Sequence, residues 1–146
     1  MRAKEILLRL PAAALLSVII SVSVTATQFD EYGPEVKSFL NFLRQEEDEL
    51  EFQIRHSEIS RRDYTRAKNR IAVHRQALLK IVRETGEDIV PELHVVTTAE
   101  IGHLIEEGAK GLRGVKSGDV VQKKWRYRGT ATRGETFHIF ERIKDR

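Results

Sequence analysis

Ile59-Ser60-Arg61-Arg62-Asp63-Tyr64 decides whether the long amphipathic stretch around it is one rod or two. Ser60 stands three residues before Asp63, the spacing at which a hydroxyl caps the free N–H groups of a helix start, and Ile59 and Tyr64 sit where a hydrophobic staple clamps the entering chain. A helix therefore begins here. Upstream, Val36, Leu40, Leu43, Leu50 and Ile54 keep a 3-4 spacing with Glu47 in the one polar gap; downstream, Tyr64, Ala67, Ile71, His74, Leu78 and Ile81 do the same. The phase slips between Ile54 and Tyr64, as expected where two helices meet at a turn. Pro34, directly after Gly33, suits a first helical turn, and Gly86 supplies a stop. The pattern predicts helices over 34–56 and 60–85, with a turn at 56–59, folded back as an antiparallel hairpin. The rival is one continuous helix of about 50 residues used as a coiled coil between subunits, which the Ser60 cap ranks second.

A hairpin centred near Ser57 sets Glu47 across from the Arg70 region and Glu51 across from Arg66. Exposed pairs of this kind contribute a few tenths of a kcal/mol to about 1 kcal/mol each, so they tune register while the Leu and Ile stripes hold the hairpin. Ser57-Glu58-Ile59-Ser60 followed by Asp63-Tyr64 and Ala67-Lys68 resembles the short helical hairpin called SHOCT. The likeness covers about 25 residues, consists mostly of helix-capping chemistry, and implies a hairpin without implying a function.

After Gly86 an acidic linker with Pro91 leads to Leu93-His94-Val95-Val96, short and branched enough for a small strand. Thr97-Thr98-Ala99-Glu100 repeats the capping logic and opens a short third helix over 98–108, with Ile101, Leu104 and Ile105 as its buried face. Gly108, Gly111, Gly114 and Gly118 follow as a loop. Strands are expected over 120–128 and 135–143, joined by a turn within Gly129 to Gly134 as a two-stranded β-hairpin. Val121, Trp125 and Tyr127 alternate onto one of its faces and Phe137, Ile139 and Ile143 continue it, to pack on the second or third helix, because an isolated hairpin is marginal in water. The fold class is α+β.

Ahead of all this, Arg2, Lys4 and Arg9 precede an uncharged run from Leu10 to Val24, and Val24 and Ala26 stand at minus three and minus one of a small-residue cleavage site. Residues 1–26 therefore read as an export signal released before Thr27, or as a short membrane anchor over 10–26, near the lower limit for spanning a bilayer; residues 27–33 are a linker. The expected location is the periplasm or the exterior, with anchoring as the alternative. The absence of cysteine excludes disulfides, a lipid-modified cysteine, thiol nucleophiles and cysteine-based zinc sites.

The net charge of +3 falls to +1 once residues 1–26 are removed, since three bases and one acid leave with them. The charge is blocked by sign: residues 27–58 carry nine acids and three bases, 59–83 eight bases and one acid, 84–109 seven acids and no base, and 110–146 eleven bases and four acids. Such alternation fits segments that fold back on one another.

Chemistry-bearing motifs are few. His56, His74, His94, His103 and His138 lack zincin spacing; His94 and His103 with Glu100 or Glu107 form the one conceivable metal set. The glycines from 108 to 118, with Lys110, Arg113 and Lys116 interleaved, fit neither a Walker loop nor a dinucleotide fingerprint but offer backbone N–H groups to an anion. Adjacent acids such as Glu46-Glu47 and Glu106-Glu107 are solvated neighbours rather than a facing catalytic pair.

Lys123-Lys124-Trp125-Arg126-Tyr127-Arg128 is the most suggestive stretch, because cations flanking rings can grip an anionic polymer. The competing arrangement buries Trp125 and Tyr127 and turns Lys124 and Arg126 to water, as strand alternation requires. The expected function is a non-enzymatic envelope protein, without a cofactor, that presents its hairpin to another envelope protein or to a second copy. The alternatives are an anion-binding module at an anionic membrane or cell-wall surface, and a small hydrolase or metal enzyme. Nucleic acid is disfavoured by compartment.

Overall fold

The computed structural model describes residues 31–144, so the signal or anchor expected over 1–26 lies outside the described residues. Helix α1 spans Pro34–Arg55 and α2 spans Arg61–Thr85. The turn falls where the sequence places it, with Ser57 at φ 58°. Ser60 caps α2: its Oγ accepts the Asp63 N–H at 3.1 Å, and its hydroxyl donates to Asp63 Oδ2 at 2.6 Å. Gly86, at φ 69°, ends α2 in the left-handed conformation.

The first turn of α1 has no cap of its own, because Gly33 carries no side chain. Asp88, beyond the end of α2, supplies it, accepting the N–H groups of Glu35 at 3.0 Å and Val36 at 2.9 Å. Space is the reason for glycine here: a Cβ on Gly33 would stand 2.2 Å from Asp88 Cγ. The two ends of the hairpin are thus tied by a carboxylate.

The helices run antiparallel, but their register differs from the expected one. Glu47 meets Arg75 at 2.7 Å and Glu51 meets Lys68 at 3.5 Å. Arg66 and Arg70 instead bind Glu135 at 2.7 Å and Glu100 at 2.8 Å. The cause is helical geometry: α2 is buried on two sides, and Arg66 and Arg70 lie on its sheet side while Lys68 and Arg75 lie on the α1 side.

Strand β1 spans Leu93–Thr97, β2 Val120–Val121, β3 Trp125–Arg133 and β4 Glu135–Arg142. They form an antiparallel sheet in the order β1-β4-β3-β2, so the expected two-stranded hairpin is part of a four-stranded sheet. The strand expected over 120–128 is broken in two by Gln122 and Lys123, both at positive φ (51° and 56°), with the Lys124 N–H donating to Val121 O at 3.2 Å. That is a two-residue turn of the primed kind, whose twist matches its strands. Residues 129–132, expected in a turn, belong to β3; the reversal is at Gly134, φ 70°. The helix expected over 98–108 is a 3₁₀ segment, Thr98–His103, followed by a second one, Gly108–Leu112. Its capping box forms as expected, Glu100 Oε2 accepting the Thr97 N–H at 2.8 Å.

The sheet has a core on each face. On one, Val36, Leu40, Val73, Ala77, Leu78 and Ile81 of the helices pack with Leu93, Val95, Phe137 and Ile139. On the other, Ile101 and Ile105 from the 3₁₀ region pack with Trp125, Tyr127 and Phe140. Trp125 and Tyr127 therefore do not share a face with Phe137 and Ile139, contrary to the sequence reading, because β3 shifts register between Tyr127 and Gly129. A bulge adds one residue and reverses the alternation beyond it.

Replacing Asp88 by Ala is expected to destabilise the fold by about 1 kcal/mol, the usual cost of a lost helix cap, read as a lower midpoint in urea. Gly33→Ala acts through the same contact by expelling the carboxylate, so the double variant should be little worse than the poorer single one; fully additive losses would show that the two residues act separately.

Candidate interaction and anion-binding surfaces

The stretch from Lys123 to Arg128 divides between core and surface. Trp125 is 3% exposed and Tyr127 7%. The Trp125 ring is enclosed by polar neighbours: Lys124 Nζ lies 5.4 Å and the Arg142 guanidinium 5.7 Å from its centroid, and the His94 ring meets it edge-on at 4.8 Å. Neither ring offers a face for stacking on a ligand. Arg128 is held by Glu141, with Nε to Oε2 at 2.6 Å, and lies 4.0 Å from Glu84 of α2. Lys123 and Lys124 are exposed and Arg126 half-buried, and none of the three has an ion pair among the described residues.

Beside them, Glu92 Oε1 and His94 Nε2 are hydrogen-bonded at 3.0 Å, and this bond, aided by the charges of Arg142, His94 and Lys124, outweighs desolvation and holds the Glu92 carboxyl below its ordinary range. Leu93, Glu141 and Trp125 mark the same end of the sheet. The start of α1 is at this end too, since Asp88 caps it five residues before β1.

The glycine-rich segment spends its backbone donors internally. Lys116 N–H donates to Asp119 Oδ2 at 2.8 Å, Asp119 N–H to Lys116 O at 3.0 Å and Gly118 N–H to Tyr127 O at 2.7 Å. The Asp119 carboxylate thus takes up the Lys116 N–H. Among the described residues no cluster of three potential metal ligands is found. His94 is engaged with Glu92, and Glu100 with Arg70 and Thr97. Burial pushes the Glu100 carboxyl up, but the Thr97 N–H and Arg70 together outweigh it and leave the group below its usual range.

A cleft of about 360 Å³ opens between α2 and β3, floored by Val73, Ala77 and Ile139 and rimmed by Lys80, Glu84 and Arg128. It lies where α2 passes over β3 and β4. Its rim charges are matched, with Lys80 at 3.8 Å and Arg128 at 4.0 Å from Glu84.

Two features escaped the sequence reading. The first is the solvent side of α1. The backbone of α1 comes close to α2 and to no strand, so its far side is uncovered, and it carries Phe42 at 48% and Phe52 at 44% exposure. Phe42, Gln45, Glu49 and Phe52 follow one another at 3-4-3 spacing opposite the buried stripe, a signal present in the sequence but masked by its two polar members. Glu46, Asp48 and Glu49 surround it, all exposed. The second is a polar chain running from the core to the surface: His138 shares hydrogen bonds with Tyr127 Oη through Nδ1 and with the exposed Thr98 Oγ1 through Nε2, each at 3.1 Å, and so fastens the first 3₁₀ segment to the sheet.

No protein-family model, curated protein or solved structure matches this chain.

Burial lowers the pKa of both His74 and His138 from the ordinary 6.5, and the nearby charge of His94 adds to the effect at His74. The unfolded chain then takes up protons at a pH where the folded one still refuses them. Stability is complete above about pH 6.5 and falls as the pH drops toward the folded-state values. Urea midpoints should therefore be lower at pH 5.5 than at pH 7.5, and His74→Phe, placed beside Phe39, should reduce the difference. A midpoint unchanged over that interval would contradict the assignment.

Proposed function

We propose that this chain is an exported, non-enzymatic interaction module of the cell envelope that presents the outer face of α1 to a basic, amphipathic segment of another envelope protein. The observation that carries the reading is the uncovered side of α1, with Phe42 and Phe52 half-exposed on one stripe. Aromatic side chains supply large contact area at low entropic cost and anchor interfaces. The acids around them select the partner. Two copies meeting through this face would oppose Glu46, Asp48 and Glu49 to their like, which disfavours symmetric self-association; a basic segment would find complementary charge. The export part of the proposal rests on residues 1–26.

Photo-crosslinking from positions 42 and 52 in intact cells tests this. The expected product joins either position to a basic amphipathic segment of an envelope protein, is found in the envelope fraction, and is lost when Asp48 and Glu49 are changed to Lys. A product consisting of two copies of this chain, one insensitive to the charge reversal, or a chain retained in the cytoplasm would overturn the reading.

A second reading has its own observation. Lys123, Lys124 and Arg126 lack ion pairs among the described residues and lie at the end of the molecule where α1 begins. If residues 10–26 remain in a bilayer, that end faces the headgroups, and exposed cations there contribute about 1 kcal/mol each to attraction by an anionic leaflet. Sedimentation with phosphatidylglycerol vesicles should fall steeply with salt and in the Lys123→Glu/Lys124→Glu variant; salt-independent binding would defeat this reading.

A further inference from the structure

At the opposite end of α2 a cleft of about 570 Å³ separates the first turns of that helix from the β3–β4 turn. Arg61, Arg62 and Arg66 line it from α2 and Arg133 from the turn, with Glu135 the one carboxylate among the lining residues. We propose that this cleft binds a phosphate group carried on a polyhydroxy molecule, a sugar or polyol phosphate.

Convergence sets these arginines apart: Arg44, Arg55, Arg83, Arg113 and Arg126 also lack a carboxylate partner among the described residues, but none of them lines this cleft. Arg70, Arg75 and Arg128 each bind a carboxylate at 2.8 Å or less. Arg61, Arg62 and Arg133 are exposed, and among the described residues none of them has a carboxylate partner. Arg66 is held through Nε alone, donating to Glu135 Oε1 at 2.7 Å, and its two terminal nitrogens have no partner among the described residues. Glu135 thereby orients a guanidinium fork and leaves its outer edge open. Four cations against one lining carboxylate leave the cleft positive, an excess that the nearby charges of Asp63 and Glu100 reduce but do not cancel, and a bound anion relieves the repulsion that remains. Asp63, the nearest acid in sequence, is turned to Ser60.

Chemistry narrows the anion. Guanidinium forks match the free oxygens of a phosphate by paired, charge-assisted hydrogen bonds, whether it is a monoester with three such oxygens and close to two negative charges or a diester with two oxygens and one charge. The neutral groups in the cleft point to what carries it. The Thr65 hydroxyl donates to Arg61 O at 2.9 Å, and Asn69 Nδ2 donates to Arg133 O at 3.0 Å. Both donors are spent on the backbone, which leaves Thr65 Oγ1 and Asn69 Oδ1 as acceptors. Acceptors in a cationic cleft repel phosphate oxygens and suit hydroxyl donors, and the cleft is larger than a lone phosphate needs. The hydroxyls of a sugar or of glycerol meet that requirement.

The polyol phosphate can be a soluble metabolite or the headgroup of an anionic lipid, and the experiment separates the two. Calorimetry of the full chain with glycerol 3-phosphate and with inorganic phosphate is run beside sedimentation with phosphatidylcholine vesicles, with and without phosphatidylglycerol. Glycerol 3-phosphate is expected to bind more tightly than inorganic phosphate, and Arg61→Ala/Arg133→Ala to weaken it by about tenfold or more, the loss expected from two charge-assisted contacts. Arg44→Ala/Arg83→Ala, with the same change in charge at a distance from the cleft, should leave binding as it was. Binding only to phosphatidylglycerol vesicles, lost with Arg61 and Arg133, supports the site and assigns its source as a lipid headgroup. Equal losses in the two double variants, no preference over inorganic phosphate, vesicle binding lost with Lys123 and Lys124 instead, or no binding to any probe would overturn the proposal. Circular dichroism confirms that the variants fold, as exposed side chains should allow.

Discussion

The register shift in β3 is the constraint on which both cores depend. Side chains in a strand alternate strictly, so a regular β3 would send Trp125, Tyr127 and Ala131 to the same face of the sheet. The helix side is already filled by Phe137 and Ile139, and the 3₁₀ side needs large side chains over Ile101 and Ile105. The extra residue, Arg128, resolves the conflict: Trp125 and Tyr127 pack beneath the 3₁₀ segments, while Ala131 packs with the helix-side core. Gly129 takes φ 99°, a conformation that side-chain-bearing residues rarely adopt. Arg128, displaced from the ladder, is then caught by Glu141 beneath the end of α2.

The sequence was most legible where local chemistry acts alone. Pro34, Ser60 and Gly86 mark helix ends by capping and backbone freedom, and the helices begin and end within a residue of where those signals place them. The strand near Leu93 and the capping box at Thr97 were legible for the same reason. What was illegible depends on neighbours distant in sequence. Gly129 reads as a turn residue in isolation, whereas in the sheet it is a bulge inside a strand that continues to Arg133. Gln122-Lys123 makes a primed turn without the Asn-Gly or Gly signals that usually announce one, so two strands read as one. The helix expected after Thr98 tightens to 3₁₀ and breaks because Gly102 and Gly108 weaken it and its buried residues answer to the sheet instead.

The candidate surfaces divide in the same way. Alternation along β3 was enough to weigh a buried Trp125 and Tyr127 against a ring-lined binding strand, and both rings lie in the core. The outer stripe of α1 was encoded in residue spacing but diluted by Gln45 and Glu49. The arginine cleft was not encoded locally at all, since Arg61 and Arg133 are brought together only by the docking of α2 on the β3–β4 turn through Asn69 and Glu135.

Charge organises the molecule at two scales. The alternating blocks of the sequence become ties between layers: Arg75 to Glu47 joins the helices, Arg70 to Glu100 and Arg66 to Glu135 join α2 to the sheet side, and Arg128 to Glu141 braces the bulge. Such half-exposed pairs stabilise modestly, so their main effect is on register, with burial of the two cores supplying most of the driving force. The charges not used in this way are segregated. Acids remain on the outer face of α1 and cations collect at the two ends of α2, whose 25 residues place those ends about 37 Å apart. On the reading proposed above, the acidic side and the two cationic ends are separate surfaces, so a partner on the side and an anion at an end would not compete. Affinity at one surface would then raise the effective concentration of the chain at the others, with no change of shape required.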